Sequence, residues 1–76
     1  MPVLSAKDVQ AKAQQALSAS PVYALRELMV ERDEETLVIT GRVCSFYHKQ
    51  LAQEMVRQAV EQIEVEVDVI NSISVL

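Results

Sequence analysis

The chain has 76 residues, of which half are hydrophobic, and it carries a formal net charge of −4. This length holds one compact core, so we expect a single domain over residues 1–76. The acidic balance argues against binding to nucleic acid or to an anionic bilayer, since both rely on clustered Lys and Arg. A single cysteine excludes an internal disulfide.

The first predicted element is a helix over about residues 6–19. Ser5 and Asp8 fit a capping box at its start, and Pro21 ends it because a proline keeps Ser20 out of the helical region. Its apolar residues share one narrow face: Val9, Ala13, Ala16 and Leu17. The polar face carries Lys12, Gln14 and Gln15. The small apolar residues predict close packing against a flat surface.

Two strands follow, over about residues 25–32 and 37–43, and each alternates apolar and polar residues. The polar segment 33–36 between them predicts a hairpin, although it lacks an Asn-Gly turn signal. Gly41 is the only glycine of the chain. It indicates either a bend, or a strand with no room for a side chain beneath a helix, or close approach of a ligand to the backbone.

A second helix is predicted over about residues 46–61, with Ser45 as its N-cap. Its apolar residues recur at three- and four-residue spacing: Leu51, Ala52, Met55, Val56, Ala59 and Val60. The last strand covers about residues 64–75 and again alternates. Asn71 is the one polar residue on its apolar side, so we expect a bend or bulge there.

The order of elements is α-β-β-α-β, which predicts an α+β fold. Each strand has one apolar face and each helix has one apolar stripe. The economical arrangement is a two-layer sandwich with both helices on one face of a three-stranded sheet. The helical crossover between the second and third strands permits a parallel pair, so we expect a mixed sheet.

Three motifs have a recognisable order: the strand 37–43 that contains Gly41, the cap Ser45 with the helix through residues 52–60, and the alternating pattern of the closing strand. That pattern consists of Val69, Asn71, Ile73 and Val75. Together these motifs resemble the BON domain, a bacterial family named after osmotically induced periplasmic and nodulation-type proteins. The resemblance covers about residues 5–75. Glycines that are usual in the family are missing from two connections, at residues 33–35 and 62–64.

The resemblance implies a non-enzymatic binding module, which in this family is proposed to contact phospholipid or other envelope components, and it brings no cofactor. It also implies a location in the cell envelope. The sequence as written has no signal peptide at its start, which by itself predicts a cytoplasmic protein. No apolar run reaches the roughly 18–20 residues that cross a bilayer.

Several apolar residues fall in the outward phase of their strands, where we expect no helix to cover them. With Thr40 in the same phase, and with Phe46, they form a candidate contact surface for a protein partner, most simply a second copy of the chain: Met29, Val38 and Ile70. A sheet edge is the alternative binding surface. Scattered exposed apolar residues are also normal on a monomer. Binding of phospholipid is the alternative function.

Cys44 and His48 lie four residues apart, are the only cysteine and the only histidine of the chain, and are a candidate nucleophile and base. A catalytic thiol needs a base that is itself held in place, and no residue is placed in the sequence to orient this histidine. We therefore expect no enzyme, no cofactor and no metal site. Glu64, Glu66 and Asp68 alternate on one strand face. They form either a solvated side that discourages edge aggregation or an anionic surface for a basic partner.

Overall fold

The computed structural model describes residues 6–63 and 66–76. Its elements, in chain order, are α1 (Ala6–Ser18), α2 (Tyr23–Arg26), β1 (Met29–Asp33), β2 (Thr36–Thr40), β3 (Arg42–Val43), α3 (Phe46–Gln62), β4 (Asp68–Asn71) and β5 (Ser74–Val75). Ser5 of the predicted capping box, and Glu64 and Val65 at the start of the predicted last strand, lie outside the described residues.

The two long helices form where the sequence predicts them. α1 ends at Ser18, one residue before the expected end, and α3 ends at Gln62, one residue after it. The side-chain oxygen of Ser45 accepts a hydrogen bond from the backbone N–H of His48 at 3.2 Å, which confirms the predicted N-cap. Both helices bury the predicted stripe: Val9, Ala13 and Leu17 in α1, and Ala52, Val56 and Val60 in α3.

The prediction that a strand begins at residue 25 is wrong, because the chain first makes the one-turn helix α2. The Ser20 hydroxyl accepts a hydrogen bond from the backbone N–H of Val22 at 3.1 Å. The backbone carbonyl of Ser20 accepts another from Nε–H of Arg26 at 2.7 Å. This turn buries Leu25 completely, and β1 begins only at Met29. The three-residue spacing of Leu25 and Leu28 is the helical signal that the strand interpretation overlooked.

Three strands form a mixed sheet in the order β1-β2-β4, which confirms the α+β fold and the mixed sheet. β1 and β2 are antiparallel and are joined by a short turn in which Glu34 has a φ of 55°. That conformation costs a non-glycine residue about 1–2 kcal/mol. α3 provides the crossover to β4, which runs parallel to β2.

The second and third predicted strands are both interrupted. β2 stops at Thr40 and β3 resumes at Arg42, while β4 stops at Asn71 and β5 resumes at Ser74. The parallel pairing nevertheless continues across the interruption, because the backbone N–H of Ser74 donates to the carbonyl of Gly41 at 2.9 Å. β3 and β5 then pair in parallel beyond it. The two pairs are successive parts of one bent ribbon.

The core is aliphatic and forms a single cluster between the helices and the sheet. The strand residues that enter it include Val30, Leu37, Ile39 and Val43, and Ile73 enters it from the connection between β4 and β5. Each of these side chains is almost fully buried. Ala13 of α1 and Ala52 of α3 are completely buried. Alanines at these positions allow close packing. α1 contacts both α3 and β1, so it packs against a helix as well as against the sheet, whereas its narrow stripe predicts packing against a flat surface.

α1 also lies along the outer edge of β1, which the sequence did not predict. Gln14 accepts the backbone N–H of Val30 at 2.8 Å and donates to the carbonyl of Leu28 at 2.9 Å. Gln10, one turn earlier, donates to the carbonyl of Val30 at 2.9 Å. The interpretation of Gln14 as part of a polar outer face is therefore wrong, since its amide replaces a strand partner at this edge.

Candidate interaction surface on the open side of the sheet

Alternation along β2 divides its side chains between two surfaces. Leu37 and Ile39 point into the core and are fully buried. Val38 and Thr40 are half-buried on the opposite side, where they do not join the core cluster. Because successive side chains of a strand point to opposite faces, β2 carries both the core and a candidate surface.

The strand register brings four of the five predicted contact residues together. Val38 lies opposite Ile70 of β4, and Thr40 lies opposite Met29 of β1. Directly opposed residues have their side chains on the same face of the sheet, about 5 Å apart. Met29 is 56% exposed and Ile70 is 50% exposed. We call these four residues the open face.

Charged residues frame the open face at both ends. Asp33 and Asp68 flank the first residue of β2 on either side. Glu31 lies opposite Val38 on β1, so it borders the apolar residues on that side. At the far end, Arg42 is exposed while its neighbour Val43 is buried, so Arg42 points to the open side. The face therefore has apolar residues at its centre with Glu31 beside them, and it is acidic at one end and basic at the other.

Phe46, the fifth predicted contact residue, belongs to α3 and not to a strand. It lies in the first turn of that helix and is 74% exposed. Its neighbour Tyr47, which the sequence analysis did not single out, is 70% exposed. The two aromatic side chains form a separate exposed feature of the helical layer.

Gly41 has a structural reason to be glycine. Its φ is 132°, a conformation that side chains with a Cβ rarely adopt. A Cβ at this position would also approach Cδ2 of Leu28 to 2.6 Å. The residue therefore serves the bend between β2 and β3 and makes room for a core leucine.

Asn71 ties the end of β4 to α3. Its Nδ2 donates to the carbonyl of Lys49 at 2.9 Å and to Oε1 of Gln53 at 3.2 Å. Its Oδ1 accepts the backbone N–H of Ile73 at 3.2 Å, where the ribbon is interrupted. The polar residue on the apolar side of the strand thus accompanies the expected bend.

Cys44 and His48 do not form the hydrogen-bonded pair that a thiol nucleophile and its base require. Cys44 is exposed. Nδ1 of His48 is buried and has no hydrogen-bond partner among the described residues. The ring of His48 instead packs beside Tyr47, with 5.7 Å between the ring centres. Within residues 6–63 and 66–76, no group of His, Cys, Asp and Glu is arranged to hold a metal ion.

A groove of about 730 Å³ opens between the second half of α3 and the start of β4. No motif in the sequence indicated it, because it depends on how α3 crosses the sheet. It is lined by Glu35, Gln53, Arg57, Val60, Glu61, Glu66, Val67, Asp68 and Val69. Four of these residues are acidic and three are valines, so the groove combines negative charge with apolar side chains.

No family model and no curated protein matches the chain. The BON resemblance therefore stays a prediction from the motifs quoted above. In the part of the chain that the structure describes, none of the helices has the length and the apolar character needed to span a bilayer.

Proposed function

We propose that this protein is a non-enzymatic interaction domain that self-associates through its open face. The observation that carries the proposal is the grouping of Met29, Val38 and Ile70 on that face, where Val38 pairs with Ile70 and Met29 pairs with Thr40. Water-exposed apolar side chains grouped on a flat surface are typical of contact sites. The resemblance to the BON family, as a family of binding modules, points in the same direction.

The charges around the open face favour a second copy as the partner. In an antiparallel face-to-face pair, Arg42 of one copy lies over the end that carries Asp33 and Asp68 in the other. A two-fold axis makes this contact twice, and complementary charges promote association and fix the register. The same symmetry places the apolar centres of both copies against each other.

The size of the face predicts weak association. Three strands span a width of about 14 Å, and the seven residues from Thr36 to Arg42 span a length of about 20 Å. The area enclosed by this width and length is well below the roughly 800 Å² that each partner buries in a stable interface. We therefore expect a dimer with a dissociation constant in the upper micromolar range or above.

Sedimentation velocity over protein concentrations from about 10 μM to about 1 mM tests this proposal. The sedimentation coefficient of the unmodified chain should rise with concentration. Val38→Glu places a charge in the apolar centre and should keep the protein monomeric throughout. Gln58→Glu adds the same charge on the exposed side of α3 and serves as the matched control, with the unmodified behaviour expected.

Arg42→Glu should weaken the dimer at least severalfold, because it places like charges against Asp33 and Asp68. Raising the salt concentration should reduce the difference between this variant and the unmodified chain. An unmodified chain that stays monomeric at the highest concentration contradicts the proposal. Equal dimerisation of Val38→Glu and Gln58→Glu places the contact elsewhere on the molecule.

The second candidate function is binding to a membrane surface, and the exposed pair Phe46 and Tyr47 favours it. Aromatic side chains suit the boundary between water and lipid. The net charge of −4 opposes anionic lipids, so we expect a preference for zwitterionic vesicles. Flotation with phosphatidylcholine vesicles should then carry the chain, and Phe46→Ser with Tyr47→Ser should abolish it. Absence of co-flotation eliminates this function.

A further inference from the structure

β4 is an edge strand of the three-stranded sheet. No described strand pairs with the backbone groups on its outer edge. Asp68 and Ser72 donate their backbone N–H groups to the carbonyls of Glu35 and Ile39. Alternate residues of a strand direct their N–H and C=O groups to opposite edges. The backbone groups of Val69 and Asn71 therefore point outward.

This free stretch has a defined end. The backbone N–H of Ile73, the next outward-pointing donor, is already bonded to Oδ1 of Asn71 at 3.2 Å. A strand that pairs with the outer edge of β4 consequently meets free groups at Val69 and Asn71 and loses a donor beyond them. The stretch suits a short extended segment rather than a long strand.

The groove between α3 and β4 lies beside this edge, and Val67 and Val69 contribute to its lining. Val60 of α3 is the third valine of the lining. An added strand places alternate side chains on the helical side of the sheet, which is the side of the groove. Side chains of the added segment that point to this side would cover the three valines.

The charges of the groove select the chemistry of the segment. Its four acidic residues are Glu35, Glu61, Glu66 and Asp68. The one basic residue of the lining is Arg57, which lies 3.9 Å from Glu54 on the surface of α3. Two such edges from two copies would repel each other, whereas a basic segment is attracted.

We propose that the outer edge of β4 and the adjoining groove, together the β4 edge site, bind a short extended peptide in which Lys or Arg alternates with aliphatic residues. The peptide backbone pairs with the outward groups of Val69 and Asn71. Aliphatic side chains cover the valines, and basic head groups lie at the carboxylates. Such strand addition obtains affinity from main-chain hydrogen bonds and specificity from alternate side chains. The site shares Asp68 with the acidic end of the open face, but its apolar side chains and its partner are different.

The test uses a capped peptide of about seven residues, alternating lysine and valine and carrying a fluorophore, as a model of an edge-binding strand. Binding is measured by fluorescence anisotropy at a protein concentration where the open face is monomeric. Saturable binding at low salt that weakens as salt rises is expected. A peptide with glutamate in place of every lysine should not bind.

Methylation of the peptide backbone provides the decisive control. One peptide is methylated on its valine nitrogens and another on its lysine nitrogens, so that each loses the donors of one edge only. Strand addition predicts that one peptide loses binding and the other keeps it, because a strand docks by a single edge. Equal affinity of both, or absence of binding by the unmethylated peptide, overturns the proposal.

Variants of the protein locate the site. Val69→Pro removes one outward N–H without touching the pairing to β2, and it should abolish binding while circular dichroism shows a folded chain.

Glu61→Lys should weaken binding about threefold to tenfold, whereas Glu31→Lys, on β1, should change it less than about twofold. Val38→Glu should leave peptide binding unchanged although it abolishes the dimer. The experiments therefore distinguish failure of the dimer proposal from failure of the peptide-site proposal. Equal effects of Glu61→Lys and Glu31→Lys contradict the assignment.

Discussion

The two edges of the sheet are completed in different ways. At the β1 edge, three backbone groups receive partners from α1: the carbonyl of Leu28 and both the N–H and the carbonyl of Val30. At the β4 edge, one backbone N–H is bonded, that of Ile73, and its partner is the side chain of Asn71 within the same ribbon. One edge is closed by a helix and the other is left accessible.

The comparison shows that a helix can close a sheet edge with side-chain amides alone. Gln10 and Gln14 are spaced four residues apart, so both point to the same side of α1. A glutamine amide carries a donor and an acceptor and can therefore replace a strand partner. The β4 edge instead has carboxylates nearby, which discourage pairing between copies and leave the edge open to a segment of opposite charge.

The largest loss of stability is expected from Gly41→Ala, at the junction of β2 and β3. This loss is the reference with which the changes at the two edges are compared. Gly41→Ala forces a side chain into a φ of 132° and places a Cβ 2.6 Å from Cδ2 of Leu28. We expect a loss of about 3 kcal/mol in the free energy of unfolding, from backbone strain and overpacking together. Urea unfolding followed by circular dichroism measures it.

A double-mutant cycle separates the two causes. In a Leu28→Ala background the steric overlap with Gly41→Ala is gone and only the backbone strain remains, so the loss should shrink to about 1–2 kcal/mol. The same loss in both backgrounds would mean that the overlap with Leu28 contributes nothing. A loss below about 0.5 kcal/mol in the native background would contradict the strained conformation.

The next effect concerns the closed edge. Gln14→Leu keeps the helix propensity of α1 but leaves the N–H of Val30 and the carbonyl of Leu28 without their partner. We expect a loss of about 2 kcal/mol in the free energy of unfolding, because unsatisfied backbone groups cost more than the bond itself is worth. Hydrogen exchange of the Val30 amide should accelerate at the same time.

Gln15→Leu is the matched control, since it makes the same replacement on the exposed side of the same helix. Its effect should stay within about 0.5 kcal/mol. If Gln14→Leu and Gln15→Leu are equally stable, the amide of Gln14 does not close the edge. The contrast between the two edges would then rest on Gln10 alone.

Features that depend on local periodicity could be predicted from the sequence. The alternation of Leu37 to Thr40 divides β2 between the core and the open face. Ser45 and the apolar spacing after it define α3, and the α-β-β-α-β order limits the packing to two layers. The four strand residues of the open face follow from the same alternation once a parallel crossover is assumed.

Features that depend on placement in three dimensions could not be predicted. Gln14 lies on a helix face that is polar by sequence, and only the position of α1 beside β1 gives it a structural role. The one-turn helix α2 leaves a single three-residue apolar spacing in the sequence, Leu25 and Leu28, which is too short a signal to outweigh the alternation that predicts a strand. The groove exists only because α3 crosses the sheet beside β4.

The smallest effect concerns the open edge. Asn71→Ala removes the bonds to Lys49, Gln53 and the N–H of Ile73, and we expect a loss of about 1 kcal/mol because water can reach the part-buried groups. The variant extends the accessible edge, so amide exchange at Ile73 should accelerate while that at Val69 stays fast. Ser72→Ala, on the exposed side of the ribbon, should change neither quantity. Protection of Ile73 that persists in Asn71→Ala would show that another group closes this end of the edge, and the two edges would then differ less than their hydrogen bonds indicate.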